Sequence, residues 1–312
     1  MSSESSPKET LTPEQTALAL PYTELADSII ELLQDSTVSV PPRIVQPLAS
    51  GGSLFVMPAS DQRVGITKLI TFVARNPEQG LPAIQGDVVV FDAHNGRRLH
   101  ILHGPTVTAR RTAAVSLLAA KKLAPSLKGK LLIVGAGVQG QSHLEAFIEG
   151  LGVSQVLIAS RSEASASALV AHAKKLGVDA QYCKNPDDAL TECPLVITCT
   201  SAQEIAMHGV PRDDAFVCAV GAFTPRMIEW APEVCLHMSL NGSIVVDTRD
   251  ADHEAGDLLQ AGLDVSEFAS LSDVVNNSKK WFSQSNRKGP VFFKSCGWAG
   301  WDLAAARCAV GN

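Results

Sequence analysis

Aromatic residues are scarce in this chain. They make up 5% of 312 positions, with two tyrosines, so a core drawn from a 46% hydrophobic content must be mainly aliphatic. That content, with 19% charged residues, excludes disorder over most of the length. No apolar run approaches the roughly 20 residues that cross a bilayer. The first 20 residues show no basic start followed by an apolar stretch, which argues against a secretory leader. No strongly basic block exists: 26 Lys+Arg against 32 Asp+Glu leave a formal net charge of −6, a poor footing for nucleic acid. The seven cysteines are odd in number and form no C-x-x-C, so a reduced, cytoplasmic setting is expected. The eight histidines show no H-x-x-x-H spacing, and no metal is expected.

What is present changes character along the chain. Residues 1–10 read as a disordered tail. Thr12-Pro13-Glu14-Gln15 carries the signature of a helix start: a capping Thr, Pro at the first helical position and Gln three residues on. Leu25, Ile29, Leu32 and Leu33 recur at helical spacing within a helix from about Pro21 to Gln34. Thr37–Val45, Ser53–Met57, Val64–Val73, Ile84–Asp92 and Arg98–His103 then read as strands, the last two joined by the tight-turn dipeptide Asn95-Gly96. A helix is expected from Thr112 to Leu123. Beyond it, strands at Leu131–Val134, Val156–Ala159, Ala180–Cys183, Leu195–Thr198, Phe216–Val220 and Ser243–Asp247 alternate with helices at Ser142–Glu149, Ala164–Leu176 and Asp187–Thr191. Such alternation means βαβ units and a parallel sheet. The expected fold is α/β: a Rossmann-type parallel sheet domain plus an α+β domain.

The apolar strand Leu131–Val134 runs into Gly135-Ala136-Gly137-Val138-Gln139-Gly140, a G-x-G-x-x-G loop followed by a helix and a second strand. In that context Gly135 allows a tight turn, Gly137 lets backbone approach a pyrophosphate, and Gly140 permits close helix–strand packing. The helix N-terminus adds free N–H groups and the positive end of its dipole. An NAD site usually has Asp or Glu at the end of the second strand. Here that strand ends Ile158-Ala159-Ser160-Arg161, where Ser160 can bond and Arg161 can pair with a 2′-phosphate. NADPH is therefore expected over NADH, with NADH usable at lower efficiency. Thr200 and Ser201 follow a parallel strand, at the edge where such sheets bind ligands, and are expected to line the nicotinamide or ribose site.

These residues resemble the ornithine cyclodeaminase/mu-crystallin family, together with Val56-Met57-Pro58-Ala59, Gly65-Ile66-Thr67-Lys68, Gly80-Leu81-Pro82, Thr108-Ala109-Arg110-Arg111-Thr112-Ala113-Ala114, Val220-Gly221-Ala222, Glu254-Ala255-Gly256-Asp257 and Phe293-Lys294-Ser295. The resemblance covers nearly the whole chain from about Leu11. It implies a substrate-binding and dimerisation domain at residues 1–112 and 298–312, an NADP-binding domain at 113–297, and a homodimer. It also implies that the last helix, Trp298–Ala309, returns to the first domain, and that Gly221 belongs to the cofactor site. The family's cyclodeaminases carry an Asp in a Gly-Gly-Asp-Cys-Pro-Gly segment; the matching segment here, Gly221-Ala222-Phe223-Thr224-Pro225-Arg226, has Phe223 in its place. That departure favours reduction of a C=N bond over ornithine deamination.

Three cations of the first part can receive an anionic substrate: Arg43, Lys68 and Arg111. An imino acid needs its carboxylate held so that C2 can meet a hydride donor, and Arg offers a rigid fork, Lys a compact charge. Plainer readings exist. Arg43 can be a surface strand residue and Lys68 an edge-strand solubility device. Arg110 and Arg111 are adjacent and point in different directions, and the resemblance implies Arg111 inward and Arg110 outward. Asp302 reads as a helix-start charge, and with Phe223 in place of the family's Asp the expected pocket lacks a carboxylate. Phe293-Lys294-Ser295-Cys296-Gly297 is expected near the domain boundary. The leading expectation is an NADPH-dependent reductase of cyclic ketimines, Δ1-pyrroline-2-carboxylate and also Δ1-piperideine-2-carboxylate. An ornithine cyclodeaminase, an L-alanine dehydrogenase-like enzyme and a non-catalytic NADPH-dependent small-ligand binding protein remain the alternatives.

Overall fold

The computed structural model describes residues 10–49, 51–279, 281 and 288–311, with backbone alone at Pro77. The chain divides into two compact units, one made of Met1–Thr112 and Trp298–Asn312, the other of Ala113–Gly297. The expected tail lies outside the described residues except for Thr10, which bridges to Ile101.

Unit 1 opens with α1 (Pro13–Leu18) and α2 (Tyr22–Gln34). The Thr12 side chain accepts from the Gln15 N–H while the Gln15 side chain accepts from the Thr12 N–H, closing a capping box at the start of α1. Five strands follow: β1 (Ile44–Pro47), β2 (Ser53–Ser60), β3 (Val64–Phe72), β4 (Ile84–Asp92) and β5 (Arg98–His103). They form an antiparallel sheet in sequence order. The strand expected at Thr37–Val45 is instead β1, later and shorter. Thr37 is held in a turn by the Asp35 carboxylate, Ser39 makes only an isolated bridge to Ser60, and Pro41-Pro42 cannot donate to a ladder.

The helix expected from Thr112 starts eight residues earlier, as α3 (Gly104–Leu123). Pro105 suits a first turn. The β-branched Thr108 and Thr112 are accommodated because their hydroxyls donate to the carbonyls of Gly104 (2.8 Å) and Thr108 (2.7 Å). Arg111 therefore sits in mid-helix.

Unit 2 carries an eight-stranded parallel sheet. Its elements are β6 (Leu131–Val134), α4 (Val138–Leu151), β7 (Gln155–Ala159), α5 (Glu163–Lys175), β8 (Asp179–Tyr182), β9 (Leu195–Thr198), β10 (Phe216–Ala219), α6 (Pro232–Asn241), β11 (Ser243–Val246), α7 (Gly256–Gln260), β12 (Ala269–Ser270), α8 (Leu271–Val275) and β13 (Val291–Lys294). The order β12-β11-β13-β10-β9-β6-β7-β8 reverses direction between β6 and β9, the switch point at which doubly wound sheets bind ligands. Every residue of β6, β9, β10, β11 and β13 is buried, as expected of strands covered on both faces. The short helix expected at Asp187–Thr191 is a 3₁₀ turn at Pro186–Ala189, capped by the Asn185 side chain. α4 begins at Val138, four residues before its expected start, so Val138, Gln139 and Gly140 form its first turn.

The last helix, α9 (Ala299–Gly311), belongs to unit 1 and is buried almost all round. It packs against α2, β2 and β3, which present Leu25, Ile29, Met57 and Ile70 as buried neighbours. Arg307 is the exception to its apolar character, and its guanidinium is matched by the carboxylates of Asp61 and Asp35.

One buried polar chain in unit 2 makes folding depend on pH. His143 Nδ1 lies 2.7 Å from the Gln139 carbonyl and Nε2 lies 2.9 Å from Ser116 Oγ. A carbonyl can only accept, so Nδ1 carries the proton, Ser116 donates to Nε2, and the ring is neutral. Burial pushes its pKa down to about 4, against the opposing pull of the Gln139 carbonyl. The unfolded ring titrates near 6.5, so the unfolded chain binds the extra proton first as pH falls. Stability is then complete above about 6.5 and falls as pH drops towards 4, by about 3 kcal/mol in all for this group. Chemical denaturation at pH 7 and pH 4.5 should show this loss in the wild type. His143→Gln, which cannot take up the proton, should lower stability at pH 7 but show a smaller drop between the two pH values.

Candidate active site

In unit 2, β6, β7 and β9 end on a groove of about 420 Å³ lined by Gly135, Gly137, Ser160, Arg161, Thr200 and Ser201, together with Lys184, Gln203 and Glu204. Gly135 adopts φ +112°, and a Cβ there would meet the Cys199 carbonyl at 2.5 Å. A Cβ at Gly140 would lie 2.0 Å from the Gly135 carbonyl, so this glycine lets the first turn of α4 close onto the loop. Gly137, the N-cap of α4, has open space where its Cβ would be and no side-chain cap. The helix start therefore presents uncapped N–H groups beside the groove, the arrangement that receives a pyrophosphate. The residues present thus fit a dinucleotide.

Not every expected cofactor residue lines this groove. Gln139 turns its carbonyl to His143 and has its side-chain Oε1 buried with no hydrogen-bond partner; Val138 is exposed at the helix start. At the groove's far end, Arg161 and Glu204 are both exposed and pair at 3.4 Å. Lys184, which no motif marks in the sequence, is a second cation lining the groove.

Behind the groove lies a buried network that sequence reasoning missed. Glu229, fully buried, accepts from the backbone N–H of Thr200 (2.7 Å) and of Gly221 (2.7 Å) and from the Thr198 hydroxyl (3.1 Å). It thereby ties the loops leaving β9 and β10. Asp257 Oδ1 accepts from the N–H groups of Glu229 and Trp230, and its Oδ2 lies 2.8 Å from Lys294 Nζ on β13. Burial raises the Glu229 pKa, opposed by Lys294 and the two N–H donors. Burial also works against charge on Lys294, but Asp257, Cys296 and Glu229 around it raise its pKa overall. Gly221 reaches the site as the donor that locks onto Glu229, and a Cβ there would lie 2.4 Å from Glu229 Oε1. Phe223, two residues on, is half-buried against the unit 2 core.

Unit 1 holds a second polar cluster. Lys68, on the inward face of β3, is 1% exposed and lies 3.0 Å from Asp302 Oδ1. Arg111 Nε approaches the same oxygen at 3.4 Å. Asp302 is therefore not a solvated helix-start charge: it is fully buried in the first turn of α9 and brings a carboxylate to the two cations. Its other oxygen, Oδ2, is buried without a hydrogen-bond partner. Lys68 is likewise no edge device, since β3 lies inside the sheet, between β2 and β4. Burial pushes the Lys68 pKa down to about 8; Asp302 raises it, while Arg111 and Arg43 lower it. Arg43, half-buried before β1, has its guanidinium 5.9 Å from the centre of the Phe55 ring. Arg110 is not simply outward: it lies over the Tyr22 ring at 3.8 Å and donates to the Leu20 carbonyl. Two cations against one carboxylate leave the core of this cluster one positive charge in excess.

Among the described residues no group of three or more His, Cys, Asp or Glu could hold a metal ion, and no helix is long and apolar enough to cross a membrane.

Residues 14–311 match the profile of the ornithine cyclodeaminase/mu-crystallin family. The chain belongs to that family. It is 35% identical over 299 residues to a Delta(1)-pyrroline-2-carboxylate reductase of Burkholderia multivorans, covering 94% of this chain and 92% of that protein. It is also 35% identical over 297 residues to the ketimine reductase mu-crystallin of Rattus norvegicus, covering 94% and 91%. Among solved structures, the Thermococcus litoralis Delta(1)-pyrroline-2-carboxylate reductase in complex with NADH and L-proline superposes with a TM-score of 0.82 at 23% identity, covering 96% of this chain and 93% of that one. An archaeal alanine dehydrogenase dimer with bound NAD superposes at 0.83 and 21% identity, again over 96% and 93%. At such identities these structures speak for the shared fold.

Proposed function

We propose that this protein reduces cyclic ketimines with NADPH. It would convert Δ1-pyrroline-2-carboxylate to L-proline and the six-membered Δ1-piperideine-2-carboxylate to L-pipecolate. The observation that carries this reading is the unmatched positive charge of the Lys68–Arg111–Asp302 cluster. A buried excess charge is costly unless a counter-ion joins it, and a substrate with one carboxylate supplies that ion. The reductase and ketimine reductase relatives support the same chemistry.

Lys68, Arg111 and Arg43 would hold the substrate carboxylate and so fix the orientation of the ring. Gly135, Gly137, Ser160, Arg161, Thr200 and Ser201 would hold the dinucleotide, with Gly140 and Gly221 shaping the backbone around it. A bound nicotinamide supplies the hydride. The protein's task is then orientation, charge placement and management of one proton, since protonation of the ring nitrogen makes C2 electrophilic. Residues 1–112 and 298–312 thus supply the substrate groups and 113–297 the nucleotide groups.

Nucleotide oxidation followed against cyclic imino acids, open-chain keto acids with amines, and ornithine tests the reading. Turnover of the cyclic imines and none of ornithine is expected. Lys68→Ala and Arg111→Ala should each lower kcat/KM for Δ1-pyrroline-2-carboxylate by about 2–4 kcal/mol, roughly 30- to 900-fold. Ornithine turned over as fast as the imine, or two silent substitutions, would sink it.

Cofactor choice rests on Ser160 and Arg161, at the end of β7. Because Arg161 is exposed, a phosphate contact there is screened, and Arg161→Ala should raise KM for NADPH by about tenfold while leaving KM for NADH nearly unchanged. Equal effects on both nucleotides would remove Arg161 from this role.

We also propose a homodimer. The strand register puts Ile44, Val56, Leu69 and Phe91 on one face of the unit 1 sheet. Ile44, Leu69 and Phe91 are 60%, 47% and 36% exposed, and large apolar side chains left exposed on one sheet face suit an interaction surface. Light scattering at micromolar concentration should return twice the 33.0 kDa chain mass; a monomer, or Leu69→Glu leaving a dimer intact, would contradict the assignment.

A further inference from the structure

We infer that Asp302 is a positioning residue for the reaction: it holds Lys68 in place and keeps it charged, so that Lys68 can give the ring nitrogen its proton. The inference rests on the ketimine reading above and adds the proton's source. The geometry is a three-body cluster inside unit 1. One oxygen of Asp302 takes both the Lys68 ammonium at 3.0 Å and the Arg111 guanidinium at 3.4 Å. The immediate neighbours of Lys68 on its own face of the sheet are apolar and buried: Ile66 and Ile70 along β3, Met57 opposite it on β2 and Val88 on β4; His100, buried on β5 opposite Val90, is a titratable group further along that face.

The charged groups around Lys68 are therefore few. Asp302 comes from α9, Arg111 from α3 and Arg43 from the segment before β1. The next charge along α9, Arg307, is already matched by Asp61 and Asp35. Burial, Arg111 and Arg43 favour its neutral form, and Asp302 favours the ammonium. Without that carboxylate, a lysine in this position would give up its proton well before the pH at which an ordinary lysine does.

The proton step balances with what the reaction already uses. The proton leaves Lys68 Nζ for the imine nitrogen, whose C=N π electrons become nitrogen-centred as C2 accepts hydride. The product is a secondary amine, and Lys68, left neutral, regains a proton from solvent. Asp302 touches no reacting atom in this scheme. It acts through Lys68, whose ammonium meets its Oδ1.

The test is the pH profile of kcat at saturating Δ1-pyrroline-2-carboxylate, where ionisation of the free substrate drops out. In the wild type kcat should fall with rising pH in an alkaline limb set by Lys68, at or above the value of about 8 that it has with no substrate carboxylate beside it. In Asp302→Asn, which keeps the size and one acceptor oxygen but not the charge, that alkaline limb should move to lower pH by about 1–3 units. Asp302→Glu, which restores the charge, should return it towards the wild-type position. Arg111→Gln supplies a variant with the opposite sign: it removes a neighbouring cation and leaves Asp302 to Lys68 alone, so the limb should move to higher pH. A merely structural Asp302 would lower kcat or stability without moving the limb. An alkaline limb that stays in place in Asp302→Asn overturns the inference. If that variant does not fold, a limb in Arg111→Gln that stays put or moves to lower pH does so instead. A wild type that reduces no cyclic imine refutes the functional reading itself, a distinct outcome.

Discussion

A single buried carboxylate, Asp302, holds two cations that could not otherwise share the interior of unit 1. Two like charges in a low-dielectric site repel strongly, and each resists burial by itself. Asp302 resolves most of that conflict and leaves one charge over. On the proposed reading that surplus is what a small anionic substrate would meet, and what a second ammonium would lack a partner for. The surrounding structure serves this arrangement. α9 is buried nearly all round so that Asp302 is kept from water, Lys68 sits on an inner strand, and α3 is extended backwards by threonine back-bonding so that Arg111 falls in mid-helix.

Unit 2 solves a related problem with the opposite balance. Glu229 and Asp257 are carboxylates and Lys294 the one cation of a fully buried trio. The excess negative charge is distributed among backbone N–H donors, two of which belong to the loops at the groove. Loops that bind a cofactor are ordinarily the most mobile part of a parallel-sheet domain. Here the Thr200 and Gly221 segments are fastened from behind by the same carboxylate, which fixes their backbone without occupying the groove.

Much of the scaffold was legible in the sequence because burial on both faces writes itself as an uninterrupted apolar run. Leu131–Val134 and Leu195–Thr198 are strands at those very residues. The hairpin of β4 and β5 at Asn95-Gly96 and the capping box at Thr12 were equally plain. Local chemistry misled where a tertiary partner overrode it. β13 was missed because Lys294 makes Val291–Lys294 look amphipathic, when its charge is matched by Asp257. Asp302 looked like a first-turn charge because its partner Lys68 lies 234 residues away in the chain. Glu229 had no local sign at all: the donors it satisfies are main-chain groups, which every residue possesses. The early start of α3 was hidden by Thr106, Val107 and Thr108, β-branched residues that read as strand until their hydrogen bonds are seen.

On the proposed reading a carboxylate-anchored cyclic imine receives hydride at C2. The most direct measurement is isotopic. Wild-type protein would be given NADPH deuterated at the reactive C4 position together with Δ1-pyrroline-2-carboxylate, and the product analysed by mass spectrometry and proton NMR. The account predicts proline carrying one deuterium, placed at C2. Nucleotide oxidised without proline, or proline formed with ordinary hydrogen at C2, would contradict it.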